Sequence, residues 1–352
     1  MTDVRSNPPQ PEPSAADAWR SLLSWAQREP LQVALLAAIG GVLAYFYCFY
    51  NVFMSGHQSL GIWTIRGWNE PNDLEHGWLV FPAAAYAVWW RRAELAAAPK
   101  SSSLLGLGIL LLGVGMFVIS VRTLQPRYGQ VSIPVVLYGG VRYLWGRQTA
   151  RLLIFPCVFL LFIIPVGFLV QRTVGLQTMT ASVASWLARH VGVGVVNDGA
   201  KLHALDGSFD FEVVGGCSGI RSLTAMAMLG ALYVYFTQRE LWKKLLIFAS
   251  SMAFALLGNL VRIFSVVVCA KVINPKIAGS VYHDYSGFIF FPIAVGAMVG
   301  FSNLLNRDWS DWKEVLLTPQ PLARTPAAGA KIQKPAAKGG EKAAANPVSY
   351  DY

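Results

Sequence analysis

The chain of 352 residues is 54% hydrophobic and only 14% charged, with a mean hydropathy of +0.44. Soluble domains carry about 25% charged residues, so a water-soluble protein is excluded on composition, and four cysteines exclude a disulfide scaffold. The formal charge of +10 suggests nucleic acid at first sight, but its distribution along the chain points to membrane topology and to no nucleic-acid partner.

Residues 1–30 hold five prolines, mixed charges and one short amphipathic stretch, AWRSLLSWAQ. No basic segment leads directly into a cleavable apolar core, so no signal peptide is expected. Eight apolar spans follow, at roughly 31–53, 77–90, 104–121, 131–145, 152–170, 219–237, 245–270 and 287–305. Spans of about 20 residues cross a bilayer of roughly 30 Å; the second and fourth are shorter than that. From Asn306 the chain turns rich in Ala, Pro and Lys and is expected to be disordered, because it cannot bury enough apolar surface to offset ordering. The expected fold class is an all-α polytopic membrane protein. Its parts are a cytoplasmic tail over 1–30, a membrane domain over 31–305 and a cytoplasmic tail over 306–352. No internal repeat is found.

Lys and Arg set the orientation. Eight crossings put both termini on one side. The termini and the loops at 91–100, 147–151 and 239–244 carry 18 Lys and Arg; the opposite segments, 54–76, 122–130, 171–218 and 271–286, carry 8; Arg142, Arg221 and Arg262 lie within spans. Both termini are therefore expected in the cytoplasm, and the largest outer segment is 171–218. Val174, Met179, Val183 and Trp186 recur there near helical spacing, predicting an amphipathic helix on the outer leaflet. Alternating apolar residues around Asp206-Gly207 predict a small β-hairpin.

That hairpin leads to Gly215-Gly216-Cys217-Ser218-Gly219 at the mouth of the sixth span. A helix N-terminus offers free N–H groups and partial positive charge, both of which favour a thiolate nucleophile. The bland reading, a small buried cysteine, is assigned to Cys48, Cys157 and Cys269. Arg262, in GNLVRIF, lies about eight residues, roughly 12 Å, below the outer end of the seventh span. An arginine at that depth needs a partner or a wet cavity, whether its role is structural or chemical. Asn259 is one turn earlier on the same face and is placed to orient it. His283, in VYHDYSGF before the eighth span, has the residue type of a general acid/base, although a lone loop histidine is more often solvated. Arg221 follows Cys217 by one turn and His76 opens the second span; each is a weaker, supporting candidate. His57, His190 and His203 lack a supporting pattern. No zinc spacing, phosphate loop or GxSxG elbow occurs, so no metal or cofactor is expected.

Taken together, HGWLVFP at 76–82 with WWRR after it, FEVVGGCSGIRSL at 211–223, GNLVRIF at 258–264 and YHDYSGF at 282–288 resemble the exosortase/archaeosortase family, in the family's order and over roughly 31–305. Gly216 departs from an expected alanine, and the C-terminal tail is not the soluble domain fused to some members. The resemblance implies a sortase-like Cys–Arg–His transpeptidase or protease. Its partners would be exported proteins ending in a short motif such as PEP, a transmembrane helix and a basic cluster. Cys217 would be the nucleophile, His283 the acid/base and Arg262 the electrostatic stabiliser, at the outer face of the cytoplasmic membrane and among its lipids. The alternatives are a transporter or channel that binds an anionic solute through Arg262 and Arg221, and a non-catalytic assembly scaffold.

Overall fold

The computed structural model describes residues 20, 23, 24, 27, 28, 30–54, 56–69, 75–165, 174–212 and 219–307. The chain divides into two units, Met1–Leu305 and Asn306–Tyr352. Helix α1 (Pro30–Ala44) runs into a π-helical turn, Tyr45–Phe49, and α2 (Leu60–Arg66) is a short helix capped by Ser59, whose hydroxyl accepts from the Ile62 amide. Then come α3 (Gly77–Trp90), α4 (Arg92–Ala97), α5 (Leu104–Thr123), α6 (Pro126–Leu152) and α7 (Ile154–Phe159), which tightens into a 3₁₀ turn, Leu160–Ile163. After α8 (Val174–His190) come three strands, β1 (Val195–Asp198), β2 (Lys201–Ala204) and β3 (Asp210–Glu212). The chain continues with α9 (Ile220–Thr237), α10 (Leu241–Val272), a π-helical turn at Ala278–Tyr282, and α11 (His283–Asn306).

Four of these helices, α5, α9, α10 and α11, are long and apolar enough to cross a membrane, and a fifth span results if the bent pair α6 with 154–163 is counted as one. The molecule is thus an all-α, multi-pass membrane protein with a small sheet. The expected count of eight spans is not matched among the described residues. The block expected at 131–145 lies within α6, which passes through Pro134 and kinks at Gly146, where φ is +86°; the chain then bends by 90° into α7, where the block expected at 152–170 begins. Pro126 opens α6 at its first turn, where its missing N–H costs nothing. The apolar block at 77–90 folds as a helix of 14 residues, about 21 Å long.

Helices α5 and α6 touch backbone to backbone. A Cβ built on Gly106 would sit 2.3 Å from the Tyr143 nitrogen, and one on Gly139 2.4 Å from the Leu110 nitrogen. Small residues of this kind drive helix association where lipid supplies no hydrophobic force.

Helix α10 is the longest element. Its 32 residues reach about 48 Å, well beyond a hydrocarbon core of about 30 Å. One half packs with α9 and α11 through Met226, Val234, Ile247, Ala255, Ala294 and Met298. The other half, at Ile263, Val266, Val267 and Ala270, is covered by Ala181, Ala184 and Ala188 of α8 and by Val195 and Leu202 of the sheet. Helix α8 therefore buries a strip of alanines against α10 while Met179 and Trp186 stay exposed. The sheet is antiparallel, in the order β1-β2-β3. It has three strands rather than the two of the expected hairpin, because the turn at 199–200 adds β1 to the pair joined by Asp206-Gly207. Lys271, at the end of α10, pairs with Asp206 in that turn and ties the sheet to the helix.

Candidate functional site

Helix α9 starts at Gly219, whose φ of +87° is a conformation that side chains disfavour. A Cβ there would also press on Asn259, 3.1 Å from its Nδ2. The segment containing Cys217, residues 213–218, lies outside the described residues; its last neighbour in the chain is therefore seated against Asn259. Asn259 is buried in α10, and Arg262 follows it by one turn. The Arg262 Nε donates a hydrogen bond of 2.9 Å to the Oγ of Ser286, which is 1% exposed. Ser286 stands one turn into α11, and His283 is the first residue of that helix. The His283 side chain is not among those described. Asn259 and Arg262, together with Ser222 of α9 and Gly287, Phe290 and Ala294 of α11, line a cleft of about 40 Å³. A water needs roughly 10–15 Å³, so the cleft admits about three or four waters or the edge of a larger reactant.

The weaker candidates lie at the heads of α9 and α3. Arg221 is its second residue, and its Nη1 is 3.7 Å from Glu75 Oε1. Both side chains are partly exposed, so the pair is worth little energetically, but it brings the head of α3 to the head of α9. Glu75 also meets the positive charge on which an anion-binding role for Arg221 would depend. His76, next in sequence, caps α3 with its Nε2 buried and without a hydrogen-bond partner. Burial pushes its pKa below the ordinary histidine value, which favours the neutral ring. Trp68 packs on Gly77 and donates from Nε1 to the Ile163 carbonyl, holding this corner in place.

Other candidates have plain explanations. Cys157 and Cys269 are buried, whereas Cys48, expected to be buried, is exposed in the turn after α1, whose neighbouring Phe46 and Phe49 are exposed as well. His190 bonds through Nδ1 to the Trp186 carbonyl, and His203 faces Asp210 at 3.2 Å. Among the described residues no group of three or more His, Cys, Asp or Glu could hold a metal ion.

Two members of this arrangement were not singled out by sequence reasoning, Ser286 and Glu75. Ser286 carried a usable signal, since it follows His283 by three residues; Glu75 carried only its adjacency to His76.

The site falls inside a region that matches a known family. The model of the transmembrane exosortase family matches residues 68–300, about two thirds of the chain, from Trp68 through Cys217, Arg262 and His283 to the last turns of α11. No curated protein and no solved structure is detectably similar to the chain. The chain belongs to the transmembrane exosortase family of membrane-embedded, protein-processing transpeptidases.

Proposed function

We propose that the protein is a cysteine transpeptidase or protease that cleaves the C-terminal sorting signal of exported proteins at the outer face of the cytoplasmic membrane. Its substrates carry a short PEP-like motif, a transmembrane helix and a basic cluster. Both termini face the cytoplasm, which the excess of Lys and Arg in the tails and short loops supports. The observation that carries the reading is the convergence on α10. Gly219, two residues after Cys217, abuts Asn259, and Arg262, one turn on, is bonded to Ser286, one turn after His283. Chain neighbours of Cys217 and His283 thus flank the turn of α10 that carries Asn259 and Arg262, which supports one shared site.

The chemistry follows from the residue types. The Cys217 thiolate attacks the scissile carbonyl carbon, forming a C–S bond while the carbonyl electron pair moves to oxygen. Arg262 stabilises that oxyanion, a kind of contribution worth about 3 kcal/mol per donor in a poorly hydrated site. The intermediate collapses, the C–N bond breaks, and His283 gives its proton to the leaving amine. Water or an amine then attacks the thioester, His283 accepts the proton, and Cys217 is released. Asn259 supports Arg262, while Arg221 at the head of α9 and His76 at the head of α3 are supporting residues.

The test is processing, in cells, of an exported reporter bearing such a signal. A Cys217→Ala protein that reaches the membrane should leave the reporter uncleaved. Cleavage by that variant would remove the reading.

A further inference from the structure

Buried hydroxyls in this bundle mostly serve the backbone of their own helix. Ser251 donates to the Phe248 carbonyl, Thr149 to that of Trp145 and Thr180 to that of Leu176. Ser286 does something different: its oxygen accepts from the guanidinium of another helix, at a position 1% exposed. We infer that Ser286 is a positioning residue, which fixes the plane of the Arg262 guanidinium against the cleft and holds α11 in register with α10 at the turn where His283 begins.

The geometry gives this bond leverage. The Nε lies at the root of the planar guanidinium, so a bond there sets the direction of the whole fork, including the two terminal nitrogens. A hydrogen bond to a charged group is also stronger than one between neutral groups. Arg262 lines the cleft beside Asn259 and Ser222, so the plane set at Ser286 decides what the fork presents to a reactant there. Because Ser286 and His283 share one helical turn, the same bond fixes how far the start of α11 stands from Arg262. A mis-set guanidinium misses the developing charge rather than the bound substrate, so the cost falls on the chemical step.

The inference rests on Arg262 serving the reaction, and Arg262→Ala tests that separately. Ser286→Ala and Ser286→Thr are compared with it on the same exported reporter, with membrane abundance measured for each and initial rates taken over a range of reporter levels. Ser286→Ala should lower kcat about 10- to 100-fold, the scale of a hydrogen bond to a charged group, with KM and abundance unchanged. Ser286→Thr, which keeps the oxygen, should recover most of the rate. The inference is overturned if Ser286→Ala works at the wild-type rate while Arg262→Ala is inactive, or if its loss follows abundance or KM. Full activity of Arg262→Ala would instead overturn the reading on which the inference stands.

Discussion

The α5–α6 pair and the α9–α11 group are both apolar helical packs, yet they differ in the charge of the polar groups they bond across helices. Between α5 and α6 the backbones meet through Gly106 and Gly139, and the side-chain bonds that α6 makes to other elements join neutral groups: Ser132 with Tyr47 and Gln130 with Thr64. In the α9–α11 group an arginine crosses from one helix to a serine of another, and a cleft opens beside the pair. In a medium without water, neutral polar groups that satisfy one another build structure. A charged group that needs a partner on another helix, at the edge of a cleft, is where chemistry is to be sought.

Breaking the second region should abolish function with little change in folding. Cys217→Ala should lower reporter processing by at least about a thousandfold, as loss of a nucleophile does, at normal membrane abundance. Breaking the first should do the reverse. Gly139→Leu would drive a side chain into the backbone of α5, where even a Cβ would come within 2.4 Å of the Leu110 nitrogen. Overpacking typically costs about 1–3 kcal/mol, and more where backbone must move, so a clear drop in detergent-solubilised thermal stability is expected. Gly108→Ala, on the same helix pair but with nothing within 4 Å, should be neutral or slightly stabilising in that assay.

A smaller effect should come from Gly219→Ala. The left-handed backbone and the contact with Asn259 both oppose a side chain, and strain of about 1–2 kcal/mol at the entry to α9 should slow processing about tenfold. The smallest should come from the far end of α10. Lys271, with help from Ser208, holds the Asp206 carboxyl well below the usual carboxylate range. The folded form thus binds this proton more weakly than the unfolded chain does. The stability it lends is whole above pH about 4 and is lost as pH falls through the lower, folded value. Thermal midpoints of the wild type should therefore decline more steeply below pH 4 than those of Asp206→Asn. Because the pair is exposed, the difference should be modest and shrink with salt.

Much of this arrangement is written locally in the sequence. The apolar blocks mark the membrane helices, and the glycines around Cys217 mark a sharp entry to α9, which the positive φ at Gly219 reflects. The neighbouring pair Asn259 and Arg262 follows from helical spacing alone. What is not local was missed. Strand β1 has too few alternating residues to announce itself and exists because it pairs with β2 over α8 and α10. Ser286 looks like any loop serine until α11 is laid beside α10. Glu75 gains meaning only when α3 meets α9.

The central claim is that residues 217, 262 and 283 face one another. Cross-linking in native membranes tests this directly, with Cys48, Cys157 and Cys269 replaced by alanine. Cys217 is then paired in turn with Arg262→Cys and with His283→Cys and treated with a short bifunctional thiol reagent. Both pairs should be joined in high yield, whereas a cysteine at Gly108 should not be joined to Cys217. If Cys217 reacts singly with the reagent yet joins neither position, the three groups do not form one site.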